Sequence, residues 1–450
     1  MPKIAAVIMA AGKGTRMKSK YPKVMHKLAG RPMIDHVLNL AALVEIERPI
    51  VILGHGREVI ERHLPESVQV AVQNEQLGTG HAVMQALPFL DDSDLVLVLS
   101  GDQPLVRDST LRSLLKLHLD SKASATILTA RMNNPYGYGR IIKAEGEFQR
   151  IVEEKDATEA ERELTEINTG TYCFNSGLLR EMLSQISPNN AQGEYYLTEV
   201  FSLLKAHGHR ISTSCTDDSI EALGINSREQ LAEAEKVLRK RICSFWMNEG
   251  VTIIDPETTF IETDVKFGRD IILHPFTFIK GETTIEDDCI IGPNSVLESC
   301  ICKQGAEIIQ TVAKNAIIGE NCSVGPFAYL RSGTVLESGV KIGDFVEVKN
   351  SVIGTGSKVP HLSYIGDSQI GKSVNIGAGT ITCNYDGKNK YPTVIEDNAF
   401  IGSNTNLVAP VKIGSQAVVG AGSTITKDVP ARALAVERSN QLIKEQWNRK

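Results

Sequence analysis

Eight cysteines are spread over 450 residues, yet none forms a CxxC pair and none clusters with histidine at zinc spacing. Cys300 and Cys302 flank a single residue, too close for a usual zinc pair. The pattern describes reduced structural thiols and a reducing compartment, the cytoplasm. An excess of positive charge is also lacking: a net charge of −6 argues against a general nucleic-acid binder. Aromatic residues make up only 5%, which suits a glycine-rich solenoid. No membrane span is expected, because the apolar opening from Ile4 to Ala11 is too short. It runs into Gly12-Lys13-Gly14 without the basic start and long apolar run of a signal peptide, and reads as a buried first strand. What remains, 42% hydrophobic and 23% charged, describes a soluble globular protein of two or more domains.

The second half carries a repeat. Ile395, Ile401, Leu407, Ile413, Val419 and Ile425 stand six positions apart, often followed by glycine, as at Gly402, Gly414 and Gly420. A helix of 3.6 residues per turn scatters such a set round its cylinder. One short strand and one corner per hexad points all six the same way, the mark of a parallel β-helix. Val312, Ile318, Val324, Leu330, Leu336, Ile342 and Val348 keep the phase, as do Ile261, Phe267, Leu273, Ile279, Ile285, Ile291 and Leu297. It slips near 300–310 and 348–376. Turns in an ordinary β-sandwich do not hold register this long. With three hexads per coil, about nine coils stack edge to edge. The interior is filled by the repeat, so chemistry belongs where the repeat breaks. The largest break is Thr380 to Pro392, with Asn384, Tyr385, Asp386, Gly387 and Lys390. Just before it stands the off-pattern His361.

Residues 1–228 have another rhythm. Ile4–Met9, Ile50–Leu53, Val68–Val72, Leu95–Leu99 and Ala125–Ala130 read as strands, with helices after Met33, Arg57, Thr79 and Asp108. The alternation predicts an open, mostly parallel, Rossmann-like α/β sheet binding ligands beyond its carboxyl strand ends. At the first such end, Met9-Ala10-Ala11-Gly12-Lys13-Gly14-Thr15-Arg16 lets backbone amides approach phosphates, with Arg16 and Lys23 adding charge. It is neither a Walker loop nor a GxGxxG fingerprint. Asp102 directly follows a buried strand, which suits Mg²⁺ or a turn cap. Asn226 offers a neutral oxygen, or caps the helix that follows.

The motifs together carry a resemblance. Ala10-Ala11-Gly12-x-Gly14-Thr15-Arg16-Met17 with Pro22-Lys23 is similar to the opening of the sugar-nucleotide pyrophosphorylases. Gln73-x-x-Gln76-Leu77-Gly78-Thr79-Gly80-His81-Ala82 resembles the uracil-reading segment of their UDP-N-acetylglucosamine members. Tyr138-Gly139-Arg140-Ile141, Ile151-Val152-Glu153-x-Lys155-Asp156, Glu166-Ile167-Asn168-Thr169-Gly170 and Gln192-Gly193-Glu194-Tyr195-Tyr196 fit the same family. With the hexads, the chain from Ile4 to about Trp447 resembles the bacterial bifunctional N-acetylglucosamine-1-phosphate uridyltransferase/glucosamine-1-phosphate acetyltransferases. The resemblance implies UTP and acetyl-CoA as co-substrates and Mg²⁺ as cofactor. By it, Met9, Ala10, Ala11, Gly12, Gln73, Gly78, Thr79, Ser100 and Gly101 line the uridine nucleotide. Gly139, Glu153 and Asn168 hold the sugar, Asp102 and Asn226 bind Mg²⁺, and Arg16 and Lys23 face the phosphates. Ser100 departs from members that carry Tyr there.

The same resemblance makes the solenoid a left-handed hexapeptide acyltransferase, expected as a homotrimer with acetyl-CoA between subunits. It implies His361 as the base that deprotonates the incoming amine. Arg331, Lys349, Tyr364 and Lys390 would hold the sugar phosphate. Asn375, Asn384 and Tyr385 would complete that pocket, with Asn384 and Tyr385 also counted toward acetyl-CoA. Asn384 and Glu347 would orient His361. Ala378, Ser403, Ala421 and Arg438 would meet acetyl-CoA, and Pro360 replaces a smaller residue. Between the domains, 229–249, an apolar stripe of Leu231, Ala234, Leu238, Ile242 and Phe245 reads as a helix. It is either a stiff connector or a terminal helix packed on the first domain, with the acetyltransferase domain from 250 to 450. The tail from Thr426 reads as a frayed end or as a cationic arm near the CoA phosphates, with Lys427, Arg432, Arg438, Lys444, Arg449 and Lys450. Two rivals stand beside the bifunctional reading: a nucleotidyltransferase whose solenoid only mediates assembly, and a non-catalytic regulatory subunit.

Overall fold

The computed structural model describes residues 2–46 and 48–447, so Arg449 and Lys450 of the tail lie outside the described residues. The chain forms two units, Met1–Leu238 and Arg239–Lys450. In the first, the main sheet runs in the order Ile211–Thr216, Ala125–Arg131, Glu166–Asn175, Leu95–Ser100, Ile4–Ala10, Ile50–Leu53, Gln69–Val72. Neighbours are parallel except around Glu166–Asn175, which is antiparallel to both of its own. The apolar runs predict five of these strands. They miss Glu166–Asn175 because half of that strand is polar. Its Thr169 is nonetheless buried, and the hydroxyl donates to Leu128 O at 2.8 Å. A hydrogen-bonded hydroxyl costs far less to bury than an orphan one. After Ile4–Ala10 the chain builds outward on one side, then returns to the other at Leu95–Ser100. That reversal opens a crevice at the carboxyl ends of these two strands.

In the second unit, three parallel sheets of 11, 10 and 9 strands form the faces of a prism, giving nine complete coils, two strands of a tenth and one of an eleventh. The inward column explains the slips in phase. Leu297, Cys302, Ile308, Ala313 and Ile318 are all buried, at steps of five or six residues. Val348, Ile353, Val359, Ile365, Ile370 and Ile376 do the same. One expectation is corrected here: Ala313, not Val312, points inward, because a corner one residue short moves the inward position. Each buried aliphatic contributes roughly 1.5–3 kcal/mol relative to exposure.

A second correction concerns the break. Ile381–Cys383 remains a strand, paired with Tyr364 below and Asn406 above. Thr382 fills the inward position there, its hydroxyl taking the Gly366 N–H at 2.7 Å. The excursion is therefore 384–392. It lengthens this coil, so that Asn375 pairs with Phe400, whereas Lys358 pairs with Asn375 and Phe400 with Val418 at the usual spacing.

The helix is Arg228–Asn248. In the first unit Ala234 is buried with Leu28, Met33, Leu105 and Ile225, and Leu231 and Leu238 pack alongside. In the second, Cys243 is buried in the prism core, with Ile242 and Trp246 against it. Phe245, expected on the apolar stripe, is 55% exposed; Trp246 takes its place. All eight cysteines are free thiols.

Candidate active sites

The crevice of the α/β unit holds a cavity of about 290 Å³ lined by Met9, Ala10, Ala11, Gly12, Lys23, Gln73, Gly78, Thr79, Ser100 and Asp102. Gln76 and Glu194, which the sequence reading placed in motifs but gave no role, also line it. The loop geometry follows from Gly14, in the left-handed region at φ 59. A Cβ there would lie 2.7 Å from Lys23 Cβ, so the glycine lets the loop close onto Lys23. Lys23 Nζ donates to Asp102 Oδ2 and, at 2.8 Å, to Asn226 Oδ1. The Lys23 and Asp102 side chains are only 14% and 21% exposed. Asn226 is not the helix cap; Ser227 Oγ accepts from Gln230 N–H at 3.2 Å instead. Asp102 and Asn226 thus direct oxygens at one cationic atom.

The expected sugar residues Gly139, Glu153 and Asn168 are not among those lining this cavity. Gly101 N–H bonds Met9 O at 3.0 Å, tying the two strand ends. Asn168 N–H donates to Gly139 O at 2.8 Å, and Asn168 Nδ2 donates to the Tyr172 hydroxyl at 2.8 Å. Glu153 accepts from Thr198 Oγ1 at 3.1 Å. Burial pushes the Glu153 carboxyl above its usual range, against the pull of the Thr198 hydroxyl. Arg16 is exposed on its short helical turn.

On the prism, one corner column gathers the acetyl-transfer candidates. Backbone bonds join successive coils: Leu362 N–H to Asp344 O, Gly379 N–H to His361 O, Asn404 N–H to Ala378 O and Gly422 N–H to Ser403 O. Asp344, His361, Ala378, Ser403 and Ala421 therefore occupy equivalent positions on consecutive coils, and Arg438 Nη1 donates to Ala421 O at 2.8 Å. On an adjoining face, Arg331 pairs with Glu347 at 2.8 Å, and Glu347 is in register with Tyr364. Lys349 and Lys390 stand close enough that the Lys349 ammonium lowers the affinity of Lys390 for its proton. Tyr385 is on the excursion, its hydroxyl donating to Gly387 O at 2.6 Å.

Three expectations change. His361 Nδ1 lies 2.5 Å from Asp344 Oδ1, a residue the sequence reading did not single out. Glu347 does not orient His361, because Arg331 holds it. Nor does Asn384, whose amide donates to Asp367 Oδ2 at 2.5 Å. Asn375 lies on a different face from Arg331 and Tyr364, in register with Lys358 and Phe400, so one chain does not complete that pocket. The signal for Asp344 was its place one coil below His361, visible only once the five-residue steps fix the register.

Fold and sites define a nucleotidyltransferase domain joined to a hexapeptide-repeat transferase. The nucleotidyl transferase family model matches residues 5–248, and the bacterial transferase hexapeptide (six repeats) model matches residues 315–350 and 392–427. The stretch between those two matches holds His361 and the excursion. The chain is 62% identical over 449 residues to the bifunctional protein GlmU of Desulfitobacterium hafniense (strain DSM 10664 / DCB-2), covering 100% of this chain and 99% of the relative. The bifunctional protein GlmU of Heliobacterium modesticaldum is 54% identical over 99% of this chain and 98% of its own. That of Carboxydothermus hydrogenoformans is 52% identical over 98% and 99%. The chain belongs to the bifunctional GlmU family. It is a two-domain transferase whose second unit is the left-handed parallel β-helix of hexapeptide transferases. Membership of this family supports the bifunctional reading over its two rivals.

Proposed function

We propose that the two activities divide between the two sites, with uridylyl transfer in the α/β cavity and acetyl transfer along the corner column. The observation that carries the first is the convergence of Asp102 and Asn226 on Lys23 Nζ. One carboxylate and one amide oxygen aimed at a cation suit Mg²⁺, which takes few protein ligands and fills its shell with water and phosphate oxygens. Bound there, the ion supplies charge neutralisation for the phosphates. The chain's own residues bind and align. The Gly12 loop admits the phosphates, Gln73 and the Gly78–Thr79 turn meet the base, and Gly139, Glu153 and Asn168 meet the sugar. A phosphate oxygen of N-acetylglucosamine 1-phosphate attacks the α-phosphorus of UTP in line and pyrophosphate departs, with Arg16 and Lys23 stabilising the charge.

On the prism, Lys349 and Lys390 bring two ammonium groups together with the single carboxylate of Asp367, a net positive group that suits an anion. The sugar phosphate of glucosamine 1-phosphate is that anion. Acetyl-CoA lies along Ala378, Ser403 and Ala421 toward Arg438, and His361 takes the proton of the amine. Asn375, on another face, serves the pocket of a neighbouring copy, which favours a homotrimer. Among the described residues no helix is long and apolar enough to cross a membrane. The free thiols and the soluble substrates support a cytoplasmic enzyme.

Kinetics of Lys390→Ala test the assignment. The KM for glucosamine 1-phosphate should rise at least tenfold while the KM for acetyl-CoA and pyrophosphate release stay put. An unchanged KM for the sugar phosphate would remove the anion site from this face.

A further inference from the structure

Most strands on the prism face that carries the corner column are two residues long, such as Phe400–Ile401 and Val418–Val419. Two adjacent ones run to four, Lys341–Asp344 and Lys358–His361, and the added register pair is Asp344 with His361. Between them, at Gly343, a Cβ would lie 1.9 Å from Pro360 O. No side chain fits there, so the close approach of the two strands requires glycine. Just past each residue the backbone turns through the left-handed region, at Phe345 (φ 56) and Leu362 (φ 50). The same turn recurs on other coils, at Phe276 and Phe327, so these corners belong to the repeat. The fold therefore extends the ladder of this face at the two coils where the Asp344 carboxylate meets the His361 imidazole.

The hydrogen bond sets the chemistry. Its acceptor is a carboxylate, so the proton of the neutral ring sits on Nδ1 and the lone pair on Nε2. The same bond holds the Asp344 carboxyl below the usual range, in its ionised form. Glu347 and Asn384 are engaged elsewhere, by Arg331 and Asp367. We propose that Asp344 is the positioning residue for acetyl transfer: it fixes the tautomer and orientation of His361 and stabilises the imidazolium that forms. This rests on the reading of His361 as the base. In the step it serves, the amine nitrogen bonds to the thioester carbon and the carbon–sulfur bond breaks. The amine proton passes to Nε2 and then to the departing sulfur, which restores the neutral ring.

The test uses the full-length enzyme with Asp344→Asn, Asp344→Ala, Asp344→Glu and His361→Ala. Asp344→Asn should lower kcat for CoA release by about 10- to 10⁴-fold, between the cost of losing the carboxylate partner of a metal-ligand histidine and that of losing the one beside a general-base histidine. The KM values for both substrates should stay within about twofold, because the partner acts on the proton and not on binding. Asp344→Glu should recover part of kcat. Nitrogen-15 spectra of histidine-labelled enzyme, with His361 assigned by its loss in His361→Ala, should show Nδ1–H in the wild type and a shift toward Nε2–H in Asp344→Ala. An unchanged melting transition of the prism and an unchanged Kd for acetyl-CoA report that every variant is folded there. If Asp344→Asn and Asp344→Ala keep kcat within threefold, or the tautomer stays the same in Asp344→Ala, Asp344 only pins the corner and the inference is wrong. If His361→Ala itself keeps wild-type CoA release, the fault lies in the base assignment.

Discussion

The two halves assemble their sites by different geometry. In the α/β unit, Lys23 meets Asp102 and Asn226 across 79 and 203 residues of chain. In the prism, Asp344 and His361 are 17 residues apart, one coil. An open sheet returns many distant strand ends to one crevice, so a single chain can enclose a small ligand there. A solenoid contacts only its neighbours and presents stripes. Its residues form columns, and a pocket needing two faces needs a second copy. Asn375, stranded on another face, is the visible consequence.

The largest effect that would break this contrast is at the column. His361→Ala should lower CoA release by about 10²–10⁴-fold, the usual worth of a general base. Pyrophosphate release from UTP and supplied N-acetylglucosamine 1-phosphate should not change. A loss of both activities would show that the two sites are not independent. Next comes Asp102→Ala, expected to cut pyrophosphate release by about 10²–10³-fold, comparable with removing one preorganised charge-stabilising group. CoA release should persist. Wild-type uridylyl transfer in this variant at limiting Mg²⁺ would count against the metal-ligand role.

A smaller effect sharpens where one region ends. A fragment stopping at Arg228 uncovers Leu28, Met33, Leu105 and Ile225, which Ala234, Leu231 and Leu238 cover. A fragment stopping at Leu238 keeps that packing and should melt higher by roughly 5–10 °C. Equal melting temperatures would mean that the helix adds nothing to the first unit. The smallest expected effect is at Glu153. Its folded pKa is raised above the ordinary 4.5, so the folded state prefers the protonated carboxyl. That preference contributes stability below pH 4.5 and is lost as pH rises through the raised value. Glu153→Gln should therefore raise the melting temperature by about 1–3 °C at neutral pH, and by nothing in acid, while weakening sugar binding. A gain that is the same at both pH values would place the effect elsewhere than in the charge.

Periodicity and strand-end chemistry were enough to read both architectures. The hexads from Ile395 to Ile425 show one inward face because their spacing admits no helix, and Asp102 at the end of an apolar run marks a strand-end site. The nucleotide residues were legible because they cluster in short motifs: Met9 to Gly12, Gln73 to Thr79 and Ser100 to Asp102 line one cavity. What the sequence concealed was register. A coil may take five residues or six per side, and no local preference tells Val312 from Ala313. That depends on which one the stacked coils leave room for. Thr382 could pass for loop because its burial is licensed by a hydrogen bond to Gly366, a partner set by the neighbouring coil. Asp344 and Glu347 are both acids near His361 in sequence, three residues apart. Only the ladder that pairs Asp344 with His361, and the guanidinium that claims Glu347, decides between them. Residue spacing determined the kinds of structure and the chemistry at hand. Tertiary pairing decided which group touches which, because hydrogen bonds and charge pairs are made at distances of a few ångströms that chain order alone does not specify.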